Sequence, residues 1–408
     1  MMRCIKKIER YRKLTKVLAL VFIGMISSRC VETFEVESQD FESILVINTT
    51  ITNEMKFQQI LLSRTFKFEE DKAQAEQGAT IKIIEDSTVE YIFEEPSPGV
   101  YRSAQEFKAL PNKGYRLSIE TLEGKSYTTE ELFLPQETAI DDVRPVKMFN
   151  SDGVGGVGIL IDAFDPSGNS KYYRYEFEET YRISAPFWVG QDLVSTVEAG
   201  ETIFSRVDRP SSERQCYNGG KSNTIITTNT TALSEDRLDG FLVHFIKSDD
   251  IRVADRYSIF IRQYVQSRDA NGFYETLDSF SDSESIFSQI QPGFISSNIV
   301  SNENPDEKVL GFFDVSSVSE KRIFFNRDEV IGDLPRFTLN CAFVAPEQED
   351  FETAEAFRRR IATDFIRSGG FKFFKEDPPM SGDFVFVPRS CGDCSVFGRG
   401  VAPDFWIE

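Results

Sequence analysis

Histidine is almost absent from this chain of 408 residues, which contains only His244. A Ser-His-Asp or Cys-His catalytic group would depend on that single residue, and no Gly-x-Ser-x-Gly motif accompanies it. Zinc sites draw their ligands mainly from cysteine and histidine, so one histidine also argues against zinc. The sequence therefore predicts no enzyme, no metal site and no cofactor. His244 itself lies in the apolar run FLVHF and is predicted to be a half-buried structural residue.

An apolar run of the roughly 20 residues needed to cross a bilayer is missing as well. Residues 17–26 are apolar but number only ten, and six basic residues precede them between positions 6 and 16. This pattern is typical of a secretory signal, here over residues 1–29. Cys30 comes directly after it, as in a bacterial lipobox whose cysteine is acylated, although Arg29 replaces the usual small residue. A plain signal peptide and an uncleaved anchor are the alternatives.

Basic residues are few beside acidic ones, 46 against 66 in the whole chain. Residues 1–29 hold eight basic residues and one acidic residue, so their removal leaves a net charge of −27. A surface of this charge repels phosphate backbones, which excludes nucleic acid as a partner. It also disfavours adsorption to anionic lipid, so the membrane would be reached through a lipid anchor on Cys30.

Strand-forming residues are abundant, with 37 phenylalanines and 13 tyrosines in the chain. Residues 30–42 are acidic and lack a period, which predicts a lipidated tether. Residues 43–136 contain about seven short β-rich segments separated by glycine and proline, and residues 115–121 alternate between apolar and polar. The pattern predicts a mainly β protein that begins with an immunoglobulin-like β-sandwich over residues 43–136.

Residues 137–408 are predicted to form a larger β-rich domain with two amphipathic helices. The first helix is expected near residues 267–283, with Ser267 as its cap. The second is expected near residues 352–368 and has five residues on its predicted inner face: Phe351, Ala354, Phe357, Ile361 and Phe365.

Two segments of this region predict turns. Residues 152–160, DGVGGVGIL, lack the Lys-Ser/Thr pair of a phosphate-binding loop and are expected to be a flexible turn before a strand. Residues 165–169, DPSGN, have the composition of a turn between two long strands.

Four aromatic residues are candidates for a surface that stacks against a sugar or a peptide. They are Tyr172, Tyr173, Phe187 and Trp188. Exposed aromatic side chains often mark binding sites, whereas in a β-sandwich such residues are more often part of the core. Both interpretations remain open from the sequence.

The later part of the chain carries the motifs of a known family. They comprise Tyr264, Tyr274, Phe287, Gln291-Pro292, Asn298-Ile299, residues 310–313 (LGFF), and the ending CGDC with PDFW after it at residues 403–406. On these residues the chain resembles the Bacteroidetes envelope proteins grouped as domain of unknown function 4249, and the similarity extends over essentially everything after the signal. Ser297 departs from the pattern, because the family tends to have glycine there. Members of the family look like lipoproteins often encoded beside TonB-dependent outer-membrane receptors, and the resemblance supplies no catalytic residue.

Four cysteines remain when Cys4 leaves with the signal and Cys30 carries lipid: Cys216, Cys341, Cys391 and Cys394. In an exported chain they are expected to form disulfides, and four cysteines allow three pairings. One pairing joins Cys391 to Cys394, while the other two tie the C-terminal tail back to the body. The last two are favoured, because a bond that closes a long loop stabilises most.

The function predicted from all of this is that of a non-enzymatic lipoprotein of the outer membrane, on its periplasmic or cell-surface side. It would be an accessory or ligand-binding partner of a TonB-dependent outer-membrane transporter, which is the context that the resemblance implies. A structural or adhesive envelope module without a transported ligand is the alternative. An unrecognised hydrolase is the least favoured, since no pair of carboxylates stands out.

Overall fold

The computed structural model of this protein describes residues 43–66, 73–281, 295 and 297–408, and strands dominate them. The mainly β fold predicted from the sequence is therefore confirmed. The signal over residues 1–29, Cys30 and the tether up to residue 42 lie outside the described residues.

The strands of the first region are short and closely spaced in the chain. They are β1 Leu45–Thr52, β2 Gln59–Arg64, β3 Gln74–Ala75, β4 Thr80–Glu85, β5 Val89–Ser97, β6 Val100–Ser103, β7 Gly114–Glu120, β8 Ser126–Thr129 and β9 Leu132–Phe133.

Several strands of the second region are longer. The strands of this region are β10 Ile140–Phe149, β11 Gly155–Asp165, β12 Tyr172–Ser184, β13 Gln191–Glu198, β14 Glu201–Asp208, β15 Gln215–Lys221, β16 Ile226–Asn229, β17 Asp236–Lys247, β18 Arg256–Val265, β19 Ile299–Ser301, β20 Val309–Asn326, β21 Phe371–Glu376 and β22 Phe384–Pro388. The α-helices are α1 Arg268–Ser281, α2 Arg327–Ile331, α3 Ala354–Arg360 and α4 Arg389–Gly392, and a π-helical turn, Ile361–Arg367, continues α3.

Within the described residues, fifteen strands form one continuous sheet, whose main path is β15-β12-β18-β20-β1-β2-β6-β5-β4-β7-β8-β19. The long strand β20 joins the two regions, because it pairs parallel with β1 and antiparallel with β18. The predicted boundary between residues 136 and 137 lies between β9 and β10. That boundary, and the immunoglobulin-like sandwich before it, stay predictions.

Two separate apolar cores lie along this sheet. The first contains alternate residues of β1, β2, β4 and β7, together with Val309, Phe313 and Val315 of β20. The second lies between β12 and β18 of the large sheet and a three-stranded sheet, β10-β11-β17. In β12 and β18 the odd-numbered residues enter this second core, as the period of two requires. Their even-numbered residues therefore face the other side of the sheet.

Both predicted helices are present. The hydroxyl of Ser267 accepts a hydrogen bond from the backbone N–H of Ala270, as expected of the cap of α1. In the second helix Phe357, Ile361 and Phe365 pack inward against β21 and β22. The prediction was wrong for Phe351 and Ala354, which are exposed. Because Phe351 precedes the helix and has a φ of 67°, it lies outside the repeat that defines the buried face.

The glycine-rich segment 152–160 was predicted to be a flexible turn that leads into a strand, and the structure shortens the turn. The turn ends at Gly153, and from Gly155 onward the chain is β11, paired with both β10 and β17. A Cβ at Gly156 would lie 2.2 Å from the carbonyl oxygen of Ile246, and one at Gly158 would lie 2.1 Å from the sulfur of Met148. Glycine is needed at Gly156 because the backbone of the neighbouring strand approaches closely, whereas at Gly158 the flexible Met148 side chain would have to move.

The predicted turn at residues 165–169 is present, and the Asp165 carboxylate organises it. This carboxylate accepts hydrogen bonds from the backbone N–H groups of Ser167, Asn169 and Ser170, each at 2.9 Å, and from the Ser167 hydroxyl. Burial acts to raise the pKa of Asp165, but these hydrogen bonds lower it to about 2. The turn is therefore held by the ionised form of the side chain.

We expect Asp165→Asn to lower the free energy of unfolding by about 2 kcal/mol at neutral pH, because an amide offers one acceptor oxygen to four donors. A lowered carboxyl pKa contributes stability above the unfolded pKa, which is lost as pH falls through the folded pKa. The parent should therefore lose this contribution between about pH 4 and pH 2, while the variant should not. Urea unfolding across this range measures it. The exposed Asp152→Asn is the matched control, and an equal effect there would contradict the assignment.

Candidate functional site

A polar cleft with a volume of about 570 Å³ lies against the large sheet. Small-molecule sites commonly have about 300–1,000 Å³. The cleft is lined by residues of β1, β2, β12 and β18, by Lys56 between β1 and β2, by Tyr274 of α1, and by the segment 221–226.

Strand register brings the charged residues of the cleft together. Arg174 of β12 is paired opposite Tyr264 of β18, and Glu176 is paired opposite Arg262. Residues directly opposite in an antiparallel pair lie on the same face of the sheet. These four residues are even-numbered, so they lie on the face opposite the second core. On β1, which is separated from β18 by β20, Asn48, Thr50 and Thr52 line the same cleft with the same alternation.

Arg174 is the most constrained of these side chains. It is 8% exposed, and its guanidinium carbon lies 4.2 Å from the ring centre of Tyr264 and 4.6 Å from that of Tyr274. Such contacts between a cation and an aromatic ring strengthen when water is excluded. Arg174 also forms an ion pair with Glu176, whose carboxylate accepts a hydrogen bond from the Tyr264 hydroxyl at 2.8 Å. Burial acts to raise the pKa of Glu176, but Arg174 and these hydrogen bonds hold it below its usual value, so the pair is ionised.

The other cations of the cleft also have carboxylate partners. Lys56 lies 2.6 Å from Glu54, and Lys221 lies 2.6 Å from Glu178. Arg262 pairs with Glu54 and lies 2.9 Å from Glu320. The charges that line the cleft are therefore balanced locally.

Two disulfides fasten the C-terminal part of the chain. Cys216 of β15 bonds to Cys394, and Cys341 bonds to Cys391. The prediction of disulfides is confirmed, and the pairing is one of the two that tie the tail to the body. Cys216, Cys391 and Cys394 are fully buried.

The tail after Cys394 lies along the large sheet. The Trp406 ring contacts Tyr217 of β15 and Phe324 of β20, at 5.0 and 5.6 Å between ring centres. The Arg322 guanidinium lies 3.8 Å from the ring centre of Phe405, and Arg182 lies 2.5 Å from the Glu408 carboxylate. The PDFW motif at residues 403–406 is therefore a docking segment for the tail.

The family model for the domain of unknown function DUF4249 matches residues 31–322, which is more than half of the chain. This chain belongs to the DUF4249 family. No curated protein matches it in sequence. Among solved structures, a DUF4785 family protein from Legionella pneumophila subsp. pneumophila str. Philadelphia 1 is similar at 7% identity and a TM-score of 0.17. The similarity covers 53% of this chain and 50% of that one, and at such a score it supports no argument about fold or function.

The four aromatic candidates of this DUF4249 protein lie in two places. Tyr173 is fully buried in the second core, so it offers no ring face to a ligand, and Tyr172 is half-buried at the start of β12. Trp188 packs against the Cys216–Cys394 disulfide, and Phe187 contacts Phe343 and Phe374. Tyr172, Phe187 and Trp188 are not among the residues that line the cleft. As a stacking surface they stay a prediction, and Tyr173 belongs to the core.

His244 of β17 is half-buried, with 17% of its side chain exposed, and it belongs to a polar cluster inside the second core. Its Nε2 atom lies 3.6 Å from the Glu179 carboxylate, which also accepts a hydrogen bond from Tyr257 at 2.6 Å and lies 3.2 Å from Arg252. Burial acts to raise the pKa of Glu179, whereas these three partners lower it. The carboxylate is therefore ionised and links three strands, β12, β17 and β18.

Over the described ranges of the DUF4249 chain, no group of three or more histidine, cysteine or carboxylate side chains is arranged to hold a metal ion. The same ranges contain no helix that is both long enough and apolar enough to cross a bilayer. The predicted acylation of Cys30 concerns a residue outside them and stays a prediction.

The cleft itself was not identified from the sequence, although two signals pointed to it. Tyr264 and Tyr274 were noted as family motifs, and both contact Arg174. The alternation in YYRYEFEE places Arg174, Glu176 and Glu178 on one face of a strand. The sequence did not show which strand lies beside β12.

Proposed function

We propose that this protein is an exported, lipid-anchored binding protein of the cell envelope with no catalytic role. In this proposal it serves as an accessory or ligand-capturing partner of a TonB-dependent outer-membrane transporter. Membership of the DUF4249 family supports an envelope context, because proteins of this family look like envelope lipoproteins. The two disulfides are the observation that supports export.

Disulfides persist in oxidising compartments such as the periplasm and the cell surface and are rare in the cytosol. Here all four cysteines located after the predicted anchor are paired, and three of them are fully buried. A secretory signal before Cys30 and disulfides after it are consistent with one another, since both require transport out of the cytosol.

Binding fits the cleft better than catalysis does. Its described lining contains neither histidine nor cysteine, and the cations that line it are paired with carboxylates. A catalytic base or nucleophile needs a side chain that is free to exchange a proton with the substrate. Ion-paired and stacked side chains such as Arg174 and Glu176 instead present fixed hydrogen-bonding groups, which suits recognition.

We expect Cys30→Ser to release the protein from the membrane, because acyl chains bind membranes in proportion to their buried methylene groups. The parent should incorporate labelled palmitate and sediment with outer membranes, whereas the variant should do neither. Cys4→Ser, which changes a cysteine inside the signal, is the matched control and should behave as the parent. Palmitate labelling and fractionation of cells measure both effects. Membrane retention of Cys30→Ser together with an unlabelled parent would refute the anchor.

Affinity purification of the same tagged parent at low detergent tests the partner. Recovery of a TonB-dependent outer-membrane receptor in a stable ratio supports the proposed role. Recovery of no barrel protein, together with a defect in adhesion or envelope integrity in cells lacking the protein, would favour the structural or adhesive alternative.

A further inference from the structure

Side chains that both donate and accept hydrogen bonds dominate the uncharged lining of the cleft. Hydroxyl and amide groups supply most of it: Asn48, Thr49, Thr50, Thr52, Gln59, Ser222, Asn223 and Thr224. Asn48, Gln59 and Asn223 are exposed, so their amide groups are accessible from the cleft. Amide and hydroxyl side chains complement a ligand whose own groups also donate and accept.

The charged lining provides donor and acceptor side by side instead of an excess of either sign. Arg174 with Glu176, and Lys221 with Glu178, each place a cation next to a carboxylate on the cleft face of β12. An anionic ligand would meet a carboxylate beside every one of these cations, and a cationic ligand would meet a cation beside each carboxylate. Neighbouring hydroxyl groups on a ligand can instead donate to the carboxylate and accept from the guanidinium.

On the cleft face of β12, the buried Nε atom of Arg174 has no hydrogen-bond partner in the described part of the chain. Arg174 as a whole is only 8% exposed. Buried polar groups in folded proteins are nearly always hydrogen-bonded, so an unpartnered donor beside a cleft needs a partner from outside the chain, either a ligand or an ordered water. The rings of Tyr264 and Tyr274 contact the Arg174 guanidinium and hold it in position at the cleft.

We propose that this cleft binds a neutral, polyhydroxylated ligand, a glycan, through the Arg174–Glu176 pair and the amide groups of Asn48, Gln59 and Asn223. This inference rests on the proposed binding function and names its ligand class. A peptide is a weaker match, because peptides add to a free strand edge or insert apolar anchors into pockets. The cleft lies on a sheet face whose strands β12, β18 and β1 are all paired on both sides.

Isothermal titration of the mature, lipidated protein tests the proposal, in a detergent without a sugar headgroup. The probes are neutral hexasaccharides of glucose, xylose, mannose and galactose in α and β linkages, with hexagalacturonate and hexalysine as charged comparators. We expect at least one neutral hexasaccharide to bind and both charged comparators to bind more weakly.

The triple variant Asn48→Ala/Gln59→Ala/Asn223→Ala should weaken that binding by at least about tenfold, because it removes three exposed hydrogen-bonding groups. Its melting temperature should match the parent's, since none of the three side chains is buried. The double variant Gln77→Ala/Gln105→Ala removes exposed amides outside the cleft lining and should bind as the parent.

Three results would overturn the assignment: no binding of any neutral hexasaccharide, tighter binding of a charged comparator, or equal affinity in parent and triple variant. Each of them leaves palmitate labelling and receptor recovery unaffected. Failure of the glycan proposal is therefore distinguishable from failure of the proposed envelope function.

Discussion

Replacing Cys216 and Cys394 by serine is expected to lower the free energy of unfolding by about 5 kcal/mol. This disulfide closes a loop with a sequence separation of 178 residues, and the entropy that a cross-link removes from the unfolded chain grows with loop length. The bond is also buried beside Ala185 and Trp188, so the variant leaves two hydroxyl groups in an apolar cluster. Guanidinium unfolding under non-reducing conditions measures the loss.

The second disulfide provides the matched comparison. Cys341 and Cys391 are separated by 50 residues, so the corresponding double serine variant should lose about 1 kcal/mol less. Arg399 and Trp406 follow Cys394 in the chain and contact β15. Replacing Cys394 removes the covalent link that holds this tail on β15, so the tail should become more accessible to protease. Unchanged unfolding of the Cys216→Ser/Cys394→Ser variant would show that this bond does not form in the native protein.

Glu179→Ala is expected to destabilise the fold by about 3 kcal/mol, because it leaves the buried Tyr257 hydroxyl without its acceptor and removes one carboxylate from Arg252. The value lies at the low end for a broken buried pair, since Arg252 keeps Asp250 at 2.8 Å. Urea unfolding at neutral pH measures it. The Glu179 carboxylate has a lowered pKa, so its contribution is present above its unfolded pKa and declines as pH falls below that value.

The adjacent residue is the control for this cluster. Glu178 lies on the opposite face of β12 and pairs with Lys221, and the two side chains are 46% and 78% exposed. An exposed ion pair contributes about 0–1 kcal/mol, so Glu178→Ala should hardly change stability. Equal losses for the two alanine variants would mean that Glu179 does not link the strands as described.

Much of the fold was predictable from local pattern. β-rich composition, with period-two alternation at residues 115–121, predicted strands. The cap at Ser267 began a helix, and the DPSGN segment formed its turn around Asp165. These features depend on residues close in sequence, whose conformational preferences act before any tertiary contact is made. Phe351 was misplaced for the same reason, because an apolar residue just outside a helix matches the helical period without belonging to it.

The cleft required contacts between residues far apart in the chain. The alternation of β12 indicated that Arg174 and Glu176 share a face, but Tyr264, Tyr274 and the segment 221–226 come from other elements. The cluster of Glu179 with His244, Arg252 and Tyr257 is likewise assembled from separate strands. Neither group has a fixed spacing in sequence, so no motif could have revealed it.

The sequence by itself determined the β class, the two helices, the expectation that the cysteines pair, and which residues of each strand share a face. These features result from composition and from the period of two in extended backbone. Only the tertiary structure decided which strands are neighbours, such as the parallel pairing of β1 with β20, and which cysteine meets which. Strand order and register arise from packing of the whole chain, since a shift of one residue would exchange the core and cleft faces of a strand.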